Sequence, residues 1–197
     1  MIKSAEFVKS SGKYSQCPTD KKLEIAFIGR SNVGKSSLIN ALTNRTKLAK
    51  ISSTPGKTQH INHFIINDSW YLVDLPGYGY ARVSKNLKKS FEGMIENYLL
   101  NREVLTCVFV LIDSRHTLQK VDEEFINWLG KNGVPFAIVY TKSDKLKKRE
   151  RPLHVKRIED KLLETWEELP PSFLTSSEKK EGLKPLLSFI ENSCIES

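Results

Sequence analysis

An apolar run at 23–28 stops at Gly29 and gives way to Gly29-Arg-Ser-Asn-Val-Gly34-Lys35-Ser36, after which Leu38, Ile39 and Leu42 recur at helical spacing. Strand, glycine-flanked loop, helix: this order constrains the 197-residue chain more than any other feature. A GxxxxGK[ST] loop works only in that context, because its backbone N–H groups must converge at a helix N-terminus behind a strand held in a sheet. Further strand-like runs at 61–66, 70–75, 105–113, 135–141 and 172–175 alternate with helical faces. Those faces are Val121, Phe125, Trp128 and Leu129; Ile158, Leu162, Trp166 and Leu169; and Leu183, Leu186, Leu187 and Ile190. Alternation of this kind predicts a mainly parallel sheet covered on both faces. The link Asn67-Asp68-Ser69 is too short for a parallel crossover, so 61–66 and 70–75 should form an antiparallel hairpin at one edge. Residues 1–22 lack a sustained period and read as an N-terminal arm able to add one edge strand, with 23–197 as the globular domain. Segments 49–59 and 76–89, rich in Gly, Ser, Thr and Lys, are expected to be mobile loops.

The chemistry follows the loops. The segment Gly29, Arg30, Ser31, Asn32, Val33 and Gly34, with Lys35, Ser36 and Ser37 opening the helix, should cradle the phosphates of a nucleotide. Lys35 supplies a point charge to the β/γ-phosphates and the Ser36 hydroxyl a ligand to Mg²⁺. Asp74-Leu75-Pro76-Gly77 closes the next strand, placing a carboxylate where it can complete the Mg²⁺ shell and a Gly77 amide where it can meet the γ-phosphate. Thr141-Lys142-Ser143-Asp144 decides the base. One carboxylate accepts both the N1 and N2 protons of guanine but repels the N1 lone pair of adenine, while the Lys142 stem packs on the purine. Thr175-Ser176-Ser177 can offer a backbone N–H to guanine O6; a helix N-cap explains the serines equally well.

Composition narrows the setting. Three scattered cysteines without a CxxC pair argue against a disulfide framework or zinc cluster and suit a cytosol. His60, His63, His116 and His154 lack metal-ligand spacing. No apolar run approaches the ~18 residues of a membrane span, and no signal peptide is expected. A net charge of +8 favours a polyanionic partner or simply keeps the surface soluble.

Taken together, GRSNVGKSS, TPGKTQ, DLPGYGYA, TKSD and TSSEKKEG resemble the EngB (YihA/YsxC) family of ribosome-assembly GTPases, in the TrmE-Era-EngA-EngB-Septin-like class. The resemblance runs from about Leu23 to the end of the chain. It implies a Ras-like P-loop α/β fold, with a mostly parallel six-stranded sheet, one antiparallel edge strand and helices on both faces. It also implies hydrolysis of GTP to GDP and phosphate, a monomeric cytoplasmic protein, and a switch in assembly of a ribosomal subunit, the large one, with a role in division or septation. Pro55, Gly56, Lys57 and Thr58 fall on the family's switch I. Thr58 matches the threonine that binds Mg²⁺ and senses the γ-phosphate; Thr54 is the alternative. The metal set is then Ser36, Thr58 and Asp74, and the catalytic set Lys35, Thr58 and Gly77. Thr141 replaces a commoner asparagine, and its hydroxyl can still brace the phosphate loop. Tyr78 stands where Ras-like proteins place a water-orienting glutamine, so intrinsic hydrolysis should be slow. Asn32 occupies the position at which related GTPases hold K⁺, or serves only as a turn former.

Positions 145–157 carry seven positive charges against one negative, and Arg82, Lys85, Lys88 and Lys89 follow the Gly77 loop. A solvated helix face is the usual explanation of such runs. Their place beside the nucleotide motifs favours contact with rRNA phosphates in a ribosomal subunit. A signalling switch acting on a protein effector shares every nucleotide motif without needing that surface; a small-molecule kinase would have no use for Thr141 to Asp144.

Overall fold

The chain begins with β1 (Ala5–Ser11), β2 (Glu24–Gly29), α1 (Lys35–Leu42), β3 (Ile61–Ile66), β4 (Trp70–Asp74) and α2 (Lys85–Asn101). It continues through β5 (Leu105–Asp113), α3 (Lys120–Lys131), β6 (Phe136–Thr141), α4 (Arg151–Leu162), β7 (Ser172–Leu174) and α5 (Leu183–Phe189), which runs into a π-helical turn at Ile190–Ile195. This computed structural model describes residues 2–49, 60–78 and 85–195, with backbone alone for 85–92, 193 and 194.

The strands form one sheet in the order β1-β3-β4-β2-β5-β6-β7. β4, β2, β5, β6 and β7 run parallel to one another, and β3 runs against β4. Asn67 and Asp68 both adopt positive φ, 50° and 55°, as so tight a hairpin requires. The six expected strands are thus present, with the antiparallel one at their edge. A seventh comes from the arm: β1 pairs antiparallel with β3, interrupted by an irregularity between Phe7 and Lys9, and covers that edge.

Side chains of β5 alternate between two cores. Cys107, Phe109 and Leu111 face a layer that includes Leu38 and Ile39 of α1 and Leu186 of α5, with Phe109 stacked on Phe27 at 5.2 Å. Val108, Val110 and Ile112 face Tyr98 of α2, Ile126 and Leu129 of α3, and Ile158 and Leu162 of α4. Burial on both sides explains the continuous apolar character of this strand.

Two expectations need correction. The loop expected over 76–89 is shortened from its far end, because α2 starts at Lys85; this helix buries Ile95, Tyr98 and Leu99 at helical spacing. The second predicted helical face is not one helix. The Leu162 carbonyl accepts the Thr165 and Trp166 amides at 3.0 Å and the Thr165 hydroxyl at 3.2 Å, and α4 ends there. Trp166 and Leu169 reach the core from the following loop, with Trp166 Nε1 donating to Asn127 Oδ1 at 2.7 Å.

Candidate functional site: a phosphate loop and a base cradle on one sheet edge

The described loops that carry predicted site residues leave the C-terminal ends of the parallel strands β2, β4, β6 and β7, where ligands of open α/β sheets bind. Gly29 ends β2 under strict space limits: a Cβ there would lie 2.9 Å from the Leu111 carbonyl oxygen and from Val33 Cγ1. Gly34, at φ 105°, turns the chain into α1 in a conformation that L side chains rarely adopt. Val33 is buried in the core and anchors the loop from below, so the residues around it stay at the surface. Asn32 sits at φ 62° with an exposed side chain, which explains an asparagine here on turn grounds alone. Ser31, Ser36 and Ser37 are half-buried along the loop and the first turn of α1.

Asp74 ends β4 beside this loop, and the Lys35 ammonium lies against its carboxylate. Both side chains are largely buried. Burial pushes the Lys35 ammonium down to about 7; the Asp74 carboxylate works in the other direction, favouring the charged form. The Ser36 hydroxyl and Asp74 carboxylate form an all-oxygen donor pair, as a hard Mg²⁺ ion prefers. After Asp74 the chain stays on the sheet: the Leu75 amide donates to the Phe27 carbonyl at 3.0 Å, and Pro76 and Gly77 are buried. Thr54, Pro55, Gly56, Lys57, Thr58 and Arg82 lie outside the described residues, as do the side chains of Lys85, Lys88 and Lys89.

The loop after β6 is tied to the phosphate loop. The Thr141 hydroxyl donates to the Val33 carbonyl at 2.6 Å, the bracing that its side chain was expected to supply. Lys142, at φ 61°, donates from Nζ to the Asn32 carbonyl at 2.6 Å. The same ammonium pairs with Asp113 at 3.0 Å. Ser143 is buried, its amide bonded to the Thr175 carbonyl at 3.1 Å. Asp144 presents a carboxylate that accepts from Ser176 Oγ at 2.7 Å and pairs with Lys145 at 3.1 Å. Desolvation raises its carboxyl, but the bonds from Ser176 and Lys145 outweigh that and hold it below its ordinary value. In the last loop, the Thr175 amide donates to Tyr140 O and the Ser176 amide to Glu181 O. Ser177, half-buried, carries the next amide.

Asp113, which closes β5, is a site residue missed in the sequence. Burial raises its carboxyl, yet bonds from Arg115 and Lys142 hold it well below the carboxylate range. Its signal was available: like Asp74, it is a carboxylate at the end of an apolar strand.

The basic run is less open than its composition suggests. Lys145 pairs with Glu178 as well as Asp144, Lys156 with Asp160, and Arg151, its side chain only 16% exposed, with Glu181 at 2.6 Å. Lys147 and Arg149 reach Glu150 only at 4.0 and 3.9 Å, and with Lys148 they form an exposed basic stretch in the turn before α4. His63 is buried against Glu24, and His154 bonds the Ser114 carbonyl, so neither faces the site. Among the described residues no helix is long and apolar enough to cross a membrane.

Comparison with known proteins agrees with this architecture. The family model described as 50S ribosome-binding GTPase matches residues 24–142. The EngB GTP-binding protein of Porphyromonas gingivalis is 58% identical over 191 residues, covering 97% of this chain and 95% of that protein. That of Christiangramia forsetii is 54% identical over 190 residues, covering 96% of each. A crystal structure of an EngB protein superposes with a TM-score of 0.71 at 22% identity, covering 88% of this chain and all of that one, a likeness of fold. Era in complex with MgGDPNP and nucleotides 1506–1542 of 16S ribosomal RNA gives a TM-score of 0.67 at 25% identity, covering 86% of this chain and 56% of Era. A phosphate loop braced by the loop after β6, in a chain this similar to those relatives, identifies it as a member of the EngB family of GTP-binding P-loop GTPases.

Proposed function

We propose that this chain binds GTP·Mg²⁺ across its C-terminal sheet edge and hydrolyses the β–γ anhydride, giving GDP and phosphate, to switch its affinity for an assembling ribosomal subunit, the large one. The observation that carries the nucleotide part is the joining of two distant loops: Thr141 and Lys142 hold the carbonyls of Val33 and Asn32, so phosphate and base recognition share one rigid frame. In that reading the backbone of Gly29 to Ser37 wraps the phosphates, and Asp144 exchanges Ser176 and Lys145 for the N1 and N2 protons of guanine. Ser177 gives its amide to O6, since those of Thr175 and Ser176 are engaged. Lys35 leaves Asp74 for the β/γ-phosphates. Ser36 and Asp74, with Thr58 from switch I, would hold Mg²⁺, which when bound offsets the phosphate charge. Gly77 offers its amide to the γ-phosphate. Tyr78, already hydrogen-bonded to Asp122, orients no water, so the unassisted rate is slow. A K⁺ ion held near Asn32 is the proposed source of additional charge at the β/γ bridge.

The ribosomal part rests on the family's description, on the net charge of +8, and on the exposed Lys147, Lys148 and Arg149 beside the base end of the site. The RNA bound by Era does not carry over by likeness, because this chain matches 56% of that protein. Pairing of Lys145, Arg151 and Lys156 with acidic side chains favours, as a second reading, a switch acting on a protein effector. Co-sedimentation of the purified chain with ribosomal subunits, in GDP and in a non-hydrolysable GTP analogue over a range of salt, decides between them. Subunit binding that depends on the nucleotide and weakens with salt is expected; binding indifferent to both would leave the effector switch. A cytoplasmic monomer that supports division is the corresponding cellular expectation, read by fractionation and by cell length on depletion.

A further inference from the structure

Tyr78 follows Gly77 directly, and its phenol is turned into the protein. The side chain is 8% exposed, stacks on Phe125 of α3 at 4.5 Å and 25°, and donates its hydroxyl proton to Asp122 Oδ1 at 2.8 Å. Asp122 belongs to the first turn of α3 and its side chain is fully buried. Its second partner is Arg30 in the phosphate loop, whose Nε donates to Oδ1 and Oδ2 at 3.2 and 3.0 Å. The backbones of Arg30 and Tyr78 meet in a short parallel bridge. One carboxylate from a helix outside the nucleotide motifs therefore joins the phosphate loop to the residue beyond Gly77.

A buried carboxylate is a poor way to stabilise a helix against a sheet, since an apolar residue of similar size packs there without desolvating a charge. Burial pushes the Asp122 carboxyl up in spite of its partners, so the cost is present in this fold. What the arrangement supplies is position. Pro76 and Gly77 are held at both ends, by the Leu75 amide on Phe27 O before them and by the Tyr78 contacts after them. Both tethers lead back to β2 or to the loop that leaves it.

We propose that Asp122 clamps Tyr78 to Arg30 and thereby presets the Gly77 amide for the γ-phosphate, making Tyr78 and Asp122 positioning residues for the triphosphate-bound state. The proposal rests on the assignment of Gly77 to the γ-phosphate above. Its consequence is selective. A diphosphate does not reach Gly77, so loosening the clamp weakens GTP and leaves GDP nearly unchanged.

Tyr78→Phe keeps the ring on Phe125 and deletes only the hydroxyl. Titration of the full chain with labelled GDP and with a labelled non-hydrolysable GTP analogue, in Mg²⁺, should show GDP affinity within about twofold of wild type and analogue affinity lower by about five- to tenfold, a coupling of ordinary size. Single-turnover hydrolysis should slow in the same variant. Asp122→Asn should act in the same direction, and the double variant should lose less than the product of the two single losses. Equal weakening of GDP and analogue, or no change in either, overturns the clamp, as does a lowered thermal midpoint with an unaltered ratio of the two affinities. If Asp122→Asn does not fold, Tyr78→Phe alone carries the test. Failure of the underlying reading looks different: wild-type protein would bind the analogue no better in Mg²⁺ than without it, and the clamp would fall with it.

Discussion

Two buried carboxylates stand at opposite ends of the neighbouring strands β2 and β4, and they are built for different purposes. Glu24, opening β2, is saturated. It accepts from Arg102 at 2.5 and 3.0 Å and from Tyr98 at 2.5 Å, and lies 3.0 Å from His63 Nε2. Arg102 also reaches the Pro18 carbonyl, so the arm, β2, β3 and α2 meet on one charge. Asp74, closing β4, contacts the ammonium of Lys35, a side chain on the phosphate loop with a second destination in the proposed site. A carboxylate enclosed by rigid donors fastens elements together; one matched to a side chain that can leave is poised for exchange.

Breaking Glu24 should give the largest effect. Glu24→Ala leaves Arg102 without its buried partner and should cost about 3–5 kcal/mol of stability, measured by urea denaturation. Any nucleotide still bound by the folded fraction should retain guanine preference. Glu24 also sets a pH dependence. Desolvation raises its carboxyl, but bonds from His63, Arg102 and Tyr98 leave it below its ordinary value of 4.5. A depressed carboxyl stabilises the fold above its unfolded value and loses that contribution as pH falls through the folded one, so stability should decline below about pH 4.5. Glu24→Gln should flatten this slope, leaving the share due to Asp113 and Asp144, also depressed.

At the other end the expected loss is one of activity. Lys35→Ala should reduce hydrolysis by about a hundred- to a thousandfold, as removal of one positioned transition-state donor does elsewhere. Circular dichroism should change little, because Asp74 loses an exchangeable partner and not a joint between elements. A variant that unfolded as Glu24→Ala does would erase the distinction between the two carboxylates.

Asp144→Asn is a smaller change. It should weaken GTP by about 1–3 kcal/mol, because an amide, part donor, meets the guanine N1 and N2 protons. Xanthine nucleotide should gain by the same substitution, and ATP binding as tightly as GTP in wild type would remove the guanine assignment. The smallest effect concerns the surface. Replacing Lys147, Lys148 and Arg149 with Ala should leave nucleotide affinity unchanged and flatten the log-affinity against log-salt slope for ribosomal subunits by about 0.7 to 0.9 for each phosphate no longer neutralised. Arg151 is left in place, since its bond to Glu181 ties α4 to the loop after β7.

The sheet and the site were legible to different depths. Every strand from 23 onward follows from local apolar runs, and the phosphate loop from eight contiguous residues. A strand end and a helix start are set by neighbours in the chain, so such features survive without knowledge of the fold. α2 escaped because Lys85 to Ser90, with three Lys, an Asn and a Ser among six residues, read as a polar loop, although Leu87, Phe91, Met94, Ile95 and Tyr98 recur at helical spacing in the sequence. Trp166 and Leu169 kept helical spacing by coincidence; α4 ends at Leu162 and the chain turns over 163–165 before reaching them.

The sequence by itself carried the proposed ligand set: a phosphate loop, a carboxylate proposed for Mg²⁺ and a carboxylate proposed for guanine, each in a short motif at the end of an apolar strand. Only the tertiary structure decided which charges meet. Arg30 and Asp122 are 92 residues apart, and Lys142 and Asn32 are 110 apart. Glu178 and Glu181 reach Lys145 and Arg151 from another loop. Parallel strands joined by crossover helices bring distant segments of chain to one sheet edge, and the register between strands sets which side chains face there. That is why composition showed a basic protein while the fold left only part of the run exposed, and why the clamp on Tyr78 has no trace in any single motif.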